Sequence, residues 1–332
     1  MRTFILYVLL LFTCYHAYAQ PQEAAQLHET ARSFMRQGDY ANAILVLQRC
    51  ISLEPGNTEY SKDLALSYFF KKDNARALEI IKPVLDRNDA DDQSYQIAGY
   101  IYKDLGQTKE CEKLFRKGLK KFPASGALYS DLGELLWAQQ DYSAINEWEK
   151  GIEYDPSYAR NYYHAARFYY LSTDKTWSLF YGEIYVNMEP QSTNSPEIRN
   201  ILLEGYKKLF TDSKAGNVLK NKKPFERRFL EVMKKQSGIA SIGINPESLT
   251  MIRTRFILEW MDNGQFPHKL FEFQQQLLRE GLFPAYNQWL FGPAQDLAAY
   301  NQWIGLHQQE HDAFIRLQKS RVFKIPAGQY YH

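Results

Sequence analysis

The chain has 332 residues, and 40 Lys+Arg against 38 Asp+Glu leave a formal net charge of +2. That balance excludes the strongly basic surface on which nucleic-acid binding depends. With 45% hydrophobic and 23% charged residues the chain falls outside the disordered range, and its length suits two domains.

Residues 1–19 read as an export signal. Arg2 is the positive n-region, Phe4 to Phe12 a short apolar run, and Ala17-Tyr18-Ala19 a small-x-small cleavage site that starts the mature chain at Gln20. The apolar run is too short to span a bilayer. Cys14 invites a lipoprotein reading, but Leu11-Phe12-Thr13 before it fits a lipid-attachment box poorly, which favours ordinary cleavage at Ala19. The expectation is an exported protein, periplasmic or secreted, with no transmembrane span.

A repeat follows. Pro55, Asp89, Pro123, Pro156 and Pro190 each follow an amphipathic run, at spacings of 34, 34, 33 and 34 residues. Small residues keep the same period: Ala31, Ala65, Gly99, Gly133 and Ala166 in one series, Ala43, Ala77, Cys111, Ala144 and Ser178 in another. Bulk at either place would push paired helices apart. Aromatic or aliphatic partners recur in phase, with Phe34, Tyr68, Tyr102, Leu136 and Tyr169 answered by Leu47, Ile81, Phe115 and Trp148. Turn signals such as Gly38-Asp39-Tyr40 and Leu105-Gly106-Gln107 separate the helices. The fourth repeat lacks one residue at Gln140-Asp141-Tyr142-Ser143, and the fifth is aberrant at Gly182 and Tyr185.

Over residues 24–190 this pattern resembles the tetratricopeptide repeat. The resemblance implies an all-α chain whose residues 20–190 form about five helix pairs coiled into a right-handed superhelix. Ser195-Pro196-Glu197 starts a further amphipathic helix, read as a cap over 196–211. Residues 191–236 are then a capping helix and basic helical linker, and 237–332 a non-repeat helical region. Cys50 and Cys111 lie two repeats apart at small-residue positions, beyond the ~7 Å Cα limit for a disulfide, and are read as buried free thiols.

The resemblance also places the first helix of each pair on a concave, ligand-bearing face. Carried over position by position, it puts Arg32, Lys62, Phe69, Tyr100, Lys103, Trp137, Arg160, Tyr163, Arg167 and Tyr170 there, together with His28 and Glu134. Aromatic platforms and cations suit a peptide or protein partner, although some rings could instead pack between helices. His28 and Arg32 depart from the Lys and Asn of the subtype that clamps C-terminal carboxylates, so a chaperone tail is not implied.

Beyond the cap the period is lost. Residues 207–235 carry ten Lys/Arg against Asp212, Glu226 and Glu231. This reads mainly as solvated helix faces, with contact to an anionic membrane surface as the alternative. Helices are expected from Asn245-Pro246-Glu247 to Asp262-Asn263-Gly264, over about 267–280, and over about 294–320, with Gly292-Pro293 breaking the chain before the last. The string Ala-Tyr-Asn-Gln-Trp occurs at 285–289 and again at 299–303. His307 and His311 stand i,i+4 beside Glu310, a zinc-compatible spacing, but no third ligand is evident and core packing is the preferred reading. No catalytic motif and no cofactor signature is found. The function expected is a protein-binding scaffold of the cell envelope. The alternatives are an enzyme or metal-binding protein with its site in the C-terminal helices, and an assembly factor at the membrane surface.

Overall fold

The computed structural model describes residues 21–172, 174–211 and 222–332, so the segment expected to be an export signal, with Cys14, lies outside the described residues. Every regular element among them is helical. The chain divides into two compact units, one ending at Pro123 and one running from Ala124 to His332.

The first unit is three helix pairs: α1 (21–36) with α2 (Tyr40–Leu53), α3 (Thr58–Phe70) with α4 (Asn74–Leu85), and α5 (Asp92–Asp104) with α6 (Thr108–Lys121). The second begins with two more pairs, α7 (Gly126–Ala138) with α8 (Ala144–Tyr154) and α9 (Ala159–Leu171) with α10 (Thr176–Met188). In the first four pairs the turn between the helices places one residue in the left-handed region: Gly38 (φ 76°), Lys72 (φ 66°), Gly106 (φ 69°) and Gln140 (φ 62°). Asp39 and Asp73 then cap α2 and α4, accepting from the backbone N–H of Asn42 and Arg76. The left-handed residues keep a 34-residue period through Gln140. The residue missing from the fourth pair is therefore lost between Gln140 and Ala144, and it shortens α8 to 11 residues.

Both small-residue series are buried where helices cross. Ala31, Ala65, Ala166, Ala43, Ala77, Cys111, Ala144 and Ser178 are all fully inaccessible. At Gly99 and Gly133 even a methyl is too large: a Cβ would stand 2.3 Å from the Phe115 ring and 2.2 Å from Trp148 Nε1. Cys50 and Cys111 are free and buried, donating to the carbonyls of Ala24 and Gly99.

The cap expected at 196–211 is α11 (Ser195–Thr211), packed on α9 and α10. The C-terminal helices are α12 (Pro224–Lys234), the short α13 (Ser237–Ala240), α14 (Pro246–Asn263), α15 (Lys269–Arg279), α16 (Phe283–Gln295), α17 (Leu297–Leu306) and α18 (Gln308–Lys319). A reciprocal Asn245–Ser248 capping box starts α14, and Gly264 at φ 60° ends it. Two expectations are corrected here. Gly292-Pro293 does not break the chain, because Pro293 falls in the last turn of α16 and the break comes at Asp296, whose side chain caps α17. The single helix expected over 294–320 is two helices divided at His307. The two Ala-Tyr-Asn-Gln-Trp strings consequently differ: the copy on α16 is wholly buried, whereas α17 has no buried residue.

These helices do not form a separate body behind the repeats; they share the core of the last two pairs. α10 is buried on every side, from Thr176 to Asn187. One face meets α9 and α11, with a Cβ at Gly182 just 3.1 Å from Ile198 and Leu202. Its other face carries Phe180 into a cluster with Phe225, Phe229 and Phe271. It also carries Glu183, 2% exposed, whose Oε1 accepts from Gln274 Nε2 (2.6 Å), from the Tyr286 hydroxyl (2.7 Å) and from Arg253. Arg253 is 1% exposed, donates also to Asn287, and lies against the rings of Phe283, Tyr286 and Phe291.

All six tryptophans fall between positions 137 and 303, so tryptophan fluorescence reports on the second unit alone. Gly133→Ala is expected to lower the stability of that unit by about 1–3 kcal/mol through overpacking against Trp148, read by urea titration of the fluorescence. Arg253→Met should cost about 3–5 kcal/mol by leaving Glu183 buried and uncompensated, and Glu183→Leu combined with it should recover much of that loss. Equal losses in the single and double variants would show that the pair is not the source of the cost.

Candidate partner-binding groove

Within each unit the first helices of successive pairs stand side by side, and the ten candidate residues lie on them. In the first unit two of them, Arg32 and Lys62, are consumed by bonds between neighbouring repeats. Asp63 on α3 accepts from His28 Nε2 at 2.7 Å and from Arg32 Nε at 3.2 Å. Burial would raise the Asp63 pKa, but those two partners hold it below the usual carboxylate range. Lys62, expected to face a ligand, is only 2% exposed, and its ammonium is held by Asp91 (2.5 Å), Glu59 (2.6 Å) and Gln93 (3.0 Å). Phe69 is half-buried beside Phe70 with Lys72 over its ring, and the Tyr100 hydroxyl accepts from Gln96. Lys103 is exposed on the last turn of α5.

In the second unit the face made by α7, α9 and α11 contains two concavities. The larger, about 590 Å³, is walled by Tyr158, Tyr163 and Tyr185, with Glu134, Arg160 and Arg167 among its polar groups. The smaller, about 290 Å³, lies between Arg167, Tyr170 and Leu171 on α9 and Glu197, Asn200 and Ile201 on α11. Leu171 is 68% exposed there, an apolar surface within a polar rim. Trp137 is the exception among the predicted residues of this unit: it is half-buried and packs against Tyr142, Trp148 and Phe168.

Each arginine of the groove already has a carboxylate. Arg160 donates two hydrogen bonds to Glu134 (2.7 and 2.8 Å) and its Nε–H to His164 Nε2 at 3.3 Å. Arg167 Nε stands 2.9 Å from Glu197 Oε1, and the Tyr163 hydroxyl donates to Oε2 of the same residue at 2.8 Å. His164 stacks on Trp148 at 5.0 Å, and burial lowers its pKa. Burial alone would raise the Glu134 carboxyl, but the contacts with His164 and Arg160 pull it down to about 2. The groove is therefore charge-paired, with tyrosine as its open chemistry. Glu197, Tyr158 and Tyr185 were absent from the candidates: Tyr158 stands at the start of α9, while Glu197 and Tyr185 reach the groove through the docking of α11 and the aberrant α10.

The other candidate features fall elsewhere. His307 caps the junction of α17 and α18 and stacks on Trp303 at 4.8 Å, while His311 contacts Asp312 at 3.1 Å. Of the basic stretch, Lys207 pairs with Glu204, Lys208 lies over the Tyr170 ring, Lys222 joins Asp174 and Glu226, and Arg228 and Lys235 share Glu259. Lys214 and Lys220 lie outside the described residues. No helix among the described residues is long and apolar enough to cross a membrane.

The groove pairs make the second unit acid-sensitive. Glu134 has a lowered folded pKa, so its contribution is complete above its unfolded pKa and is lost as pH falls towards about 2. Protonation of His164, disfavoured by burial, acts in the same direction below its ordinary value. Urea unfolding followed by tryptophan fluorescence is expected to show falling stability from about pH 6 downwards, steepest below the usual glutamate range. Glu134→Gln should flatten the lower part of that limb while costing stability at neutral pH.

No curated protein matches the chain significantly. Solved structures similar to it include MamA from Desulfovibrio magneticus RS-1, at 16% identity and TM-score 0.40, over 52% of this chain and 97% of that one. Another is TTC0263, a thermophilic protein of Thermus thermophilus, at 14% identity and TM-score 0.44, over 54% of this chain and 99% of that one. A third is Pseudomonas aeruginosa pilF, at 14% identity and TM-score 0.48, over 63% and 96%. Two family models, both described as tetratricopeptide repeat, match residues 34–98 and 92–120. Residues 34–120 are thus tetratricopeptide repeats, and they lie within the run of five helix pairs.

Proposed function

We propose that the protein is a scaffold that holds an extended segment of a protein partner in the groove of α7, α9 and α11. Tetratricopeptide arrays are protein-interaction modules, which supports the scaffold reading. The observation that carries the finer reading is the pair of concavities along consecutive first helices, sharing Arg167 and lined by Tyr158, Tyr163, Tyr185 and Tyr170. Tyrosine supplies contact area at low entropic cost, and exposed Leu171 offers an apolar seat for a side chain. Because Arg160 and Arg167 are both paired, recognition rests on stacking and hydrogen bonds more than on net charge. The pattern at residues 1–19 supports an exported location, and the binding is assigned there.

Removing Tyr163 or Arg167 would also strip α11 of its bonds to α9, so a test should fill the groove instead. Ser157 and Asn194 line it with exposed side chains. Cross-linked co-purification from the cells that make the protein is expected to capture a partner with wild type and lose it with Ser157→Trp/Asn194→Trp. Capture should also persist from low to high salt, since screening weakens exposed charge pairs and leaves stacking intact. A partner retained by the filled variant would refute binding in this groove.

A further inference from the structure

A separate concavity of about 460 Å³ lies among the C-terminal helices and shares no lining residue with the groove. Its volume is that of a small-molecule site. The wall is α15, and the floor is apolar: the rings of Phe273 and Phe323 lie 5.5 Å apart, and Phe273 rests edge-on against buried Tyr286. The charge around this floor is one-sided. Lys269, Arg279 and Arg321 face a single acid, Glu272, which stands 3.6 Å from Lys269. Arg321 donates to the Gln276 amide oxygen at 2.7 Å, a contact that satisfies a hydrogen bond and neutralises no charge.

Two polar groups at the cavity are left with unused capacity. Gln318 Nε2 is buried without a hydrogen-bond partner among the described residues. Asn187 is 8% exposed, and its Nδ2 donates to the Glu183 carbonyl (2.8 Å) and the Tyr286 hydroxyl (2.7 Å), which fixes the amide and leaves Oδ1 as an acceptor. Three cations beside an aromatic floor suit a ligand with an acid group and an apolar body.

We infer that this cavity binds a small organic anion, its acid group held by Arg279, Arg321 and Lys269 and its apolar or aromatic body resting on Phe273 and Phe323. A metal ion is disfavoured by the cationic rim, and an extended peptide by the size of the concavity. The site is independent of the groove proposed for the protein partner, although α10 borders both, with Tyr185 on the groove and Asn187 on the cavity.

Isothermal titration of the full chain with 2-naphthalenesulfonate tests the assignment, with uncharged 2-naphthol as the matched control. The sulfonate is expected to bind at least about tenfold more tightly than the naphthol, the equivalent of one hydrogen bond to a charged group. Arg279→Gln/Arg321→Gln should weaken the sulfonate roughly tenfold and leave the naphthol unchanged, while Phe323→Ala should weaken both. Both arginines are exposed, so unchanged thermal unfolding will separate lost binding from lost folding. Equal affinity for the two probes, no binding of either, or sulfonate binding that survives the double variant would overturn the assignment. So would association with phosphatidylglycerol vesicles that depends on the two arginines without any sulfonate binding, since that result makes them a membrane contact.

Discussion

The second unit is organised around one buried ion pair. Glu183 and Arg253 are both withdrawn from water, and neither could be so placed without the other, because an isolated buried charge costs several kcal/mol. Satisfying them requires Gln274 from α15 and Tyr286 and Asn287 from α16, so the pair draws α10, α14, α15 and α16 into one arrangement. Aromatic rings surround the guanidinium and give the cation a favourable face. Hydrophobic residues of similar volume often match such a pair in stability, whereas removal of one partner alone is costly.

That constraint explains why the fifth helix pair departs from the repeat. An ordinary second helix turns one side to solvent, whereas α10 has companions on all sides. Gly182 lets α11 approach, Phe180 enters the C-terminal aromatic cluster and Glu183 meets Arg253. The two compact units divide after Pro123, so α10 and α11 belong to the same unit as the helices that follow. α10 and α11 are thus shaped by the helices that follow as much as by those that precede.

The repeats treat their polar residues in two ways. In the first unit, carboxylates on or capping one first helix hold basic side chains of the preceding one, as with Asp63 for His28 and Arg32 and Asp91 for Lys62. These bonds hold neighbouring repeats in register, and nearest-neighbour interfaces of this kind carry much of the stability of an array. In the second unit comparable pairs line concavities that remain open, and tyrosines replace the buried lysine. The same positional rule therefore yields cement in one unit and a groove in the other.

The sequence by itself determined the repeats, because a 34-residue period of small residues, turns and aromatic partners is a local code. Ala31, Ala65 and Gly99 announce helix crossings wherever they fall, Gly38 and Gly264 announce turns through left-handed backbone, and Asn245 announces a start through its capping side chain. What followed Thr211 was decided by tertiary structure. A sequence pattern gives no sign that Glu183 and Arg253, seventy residues apart, meet in the core, or that one Ala-Tyr-Asn-Gln-Trp string is buried and its duplicate is not. Lys62 shows the same limit within the repeats. Its position on the helix was legible, but whether it faces a ligand or a neighbour's aspartate depends on the distance across to Asp91, which only the packed array sets.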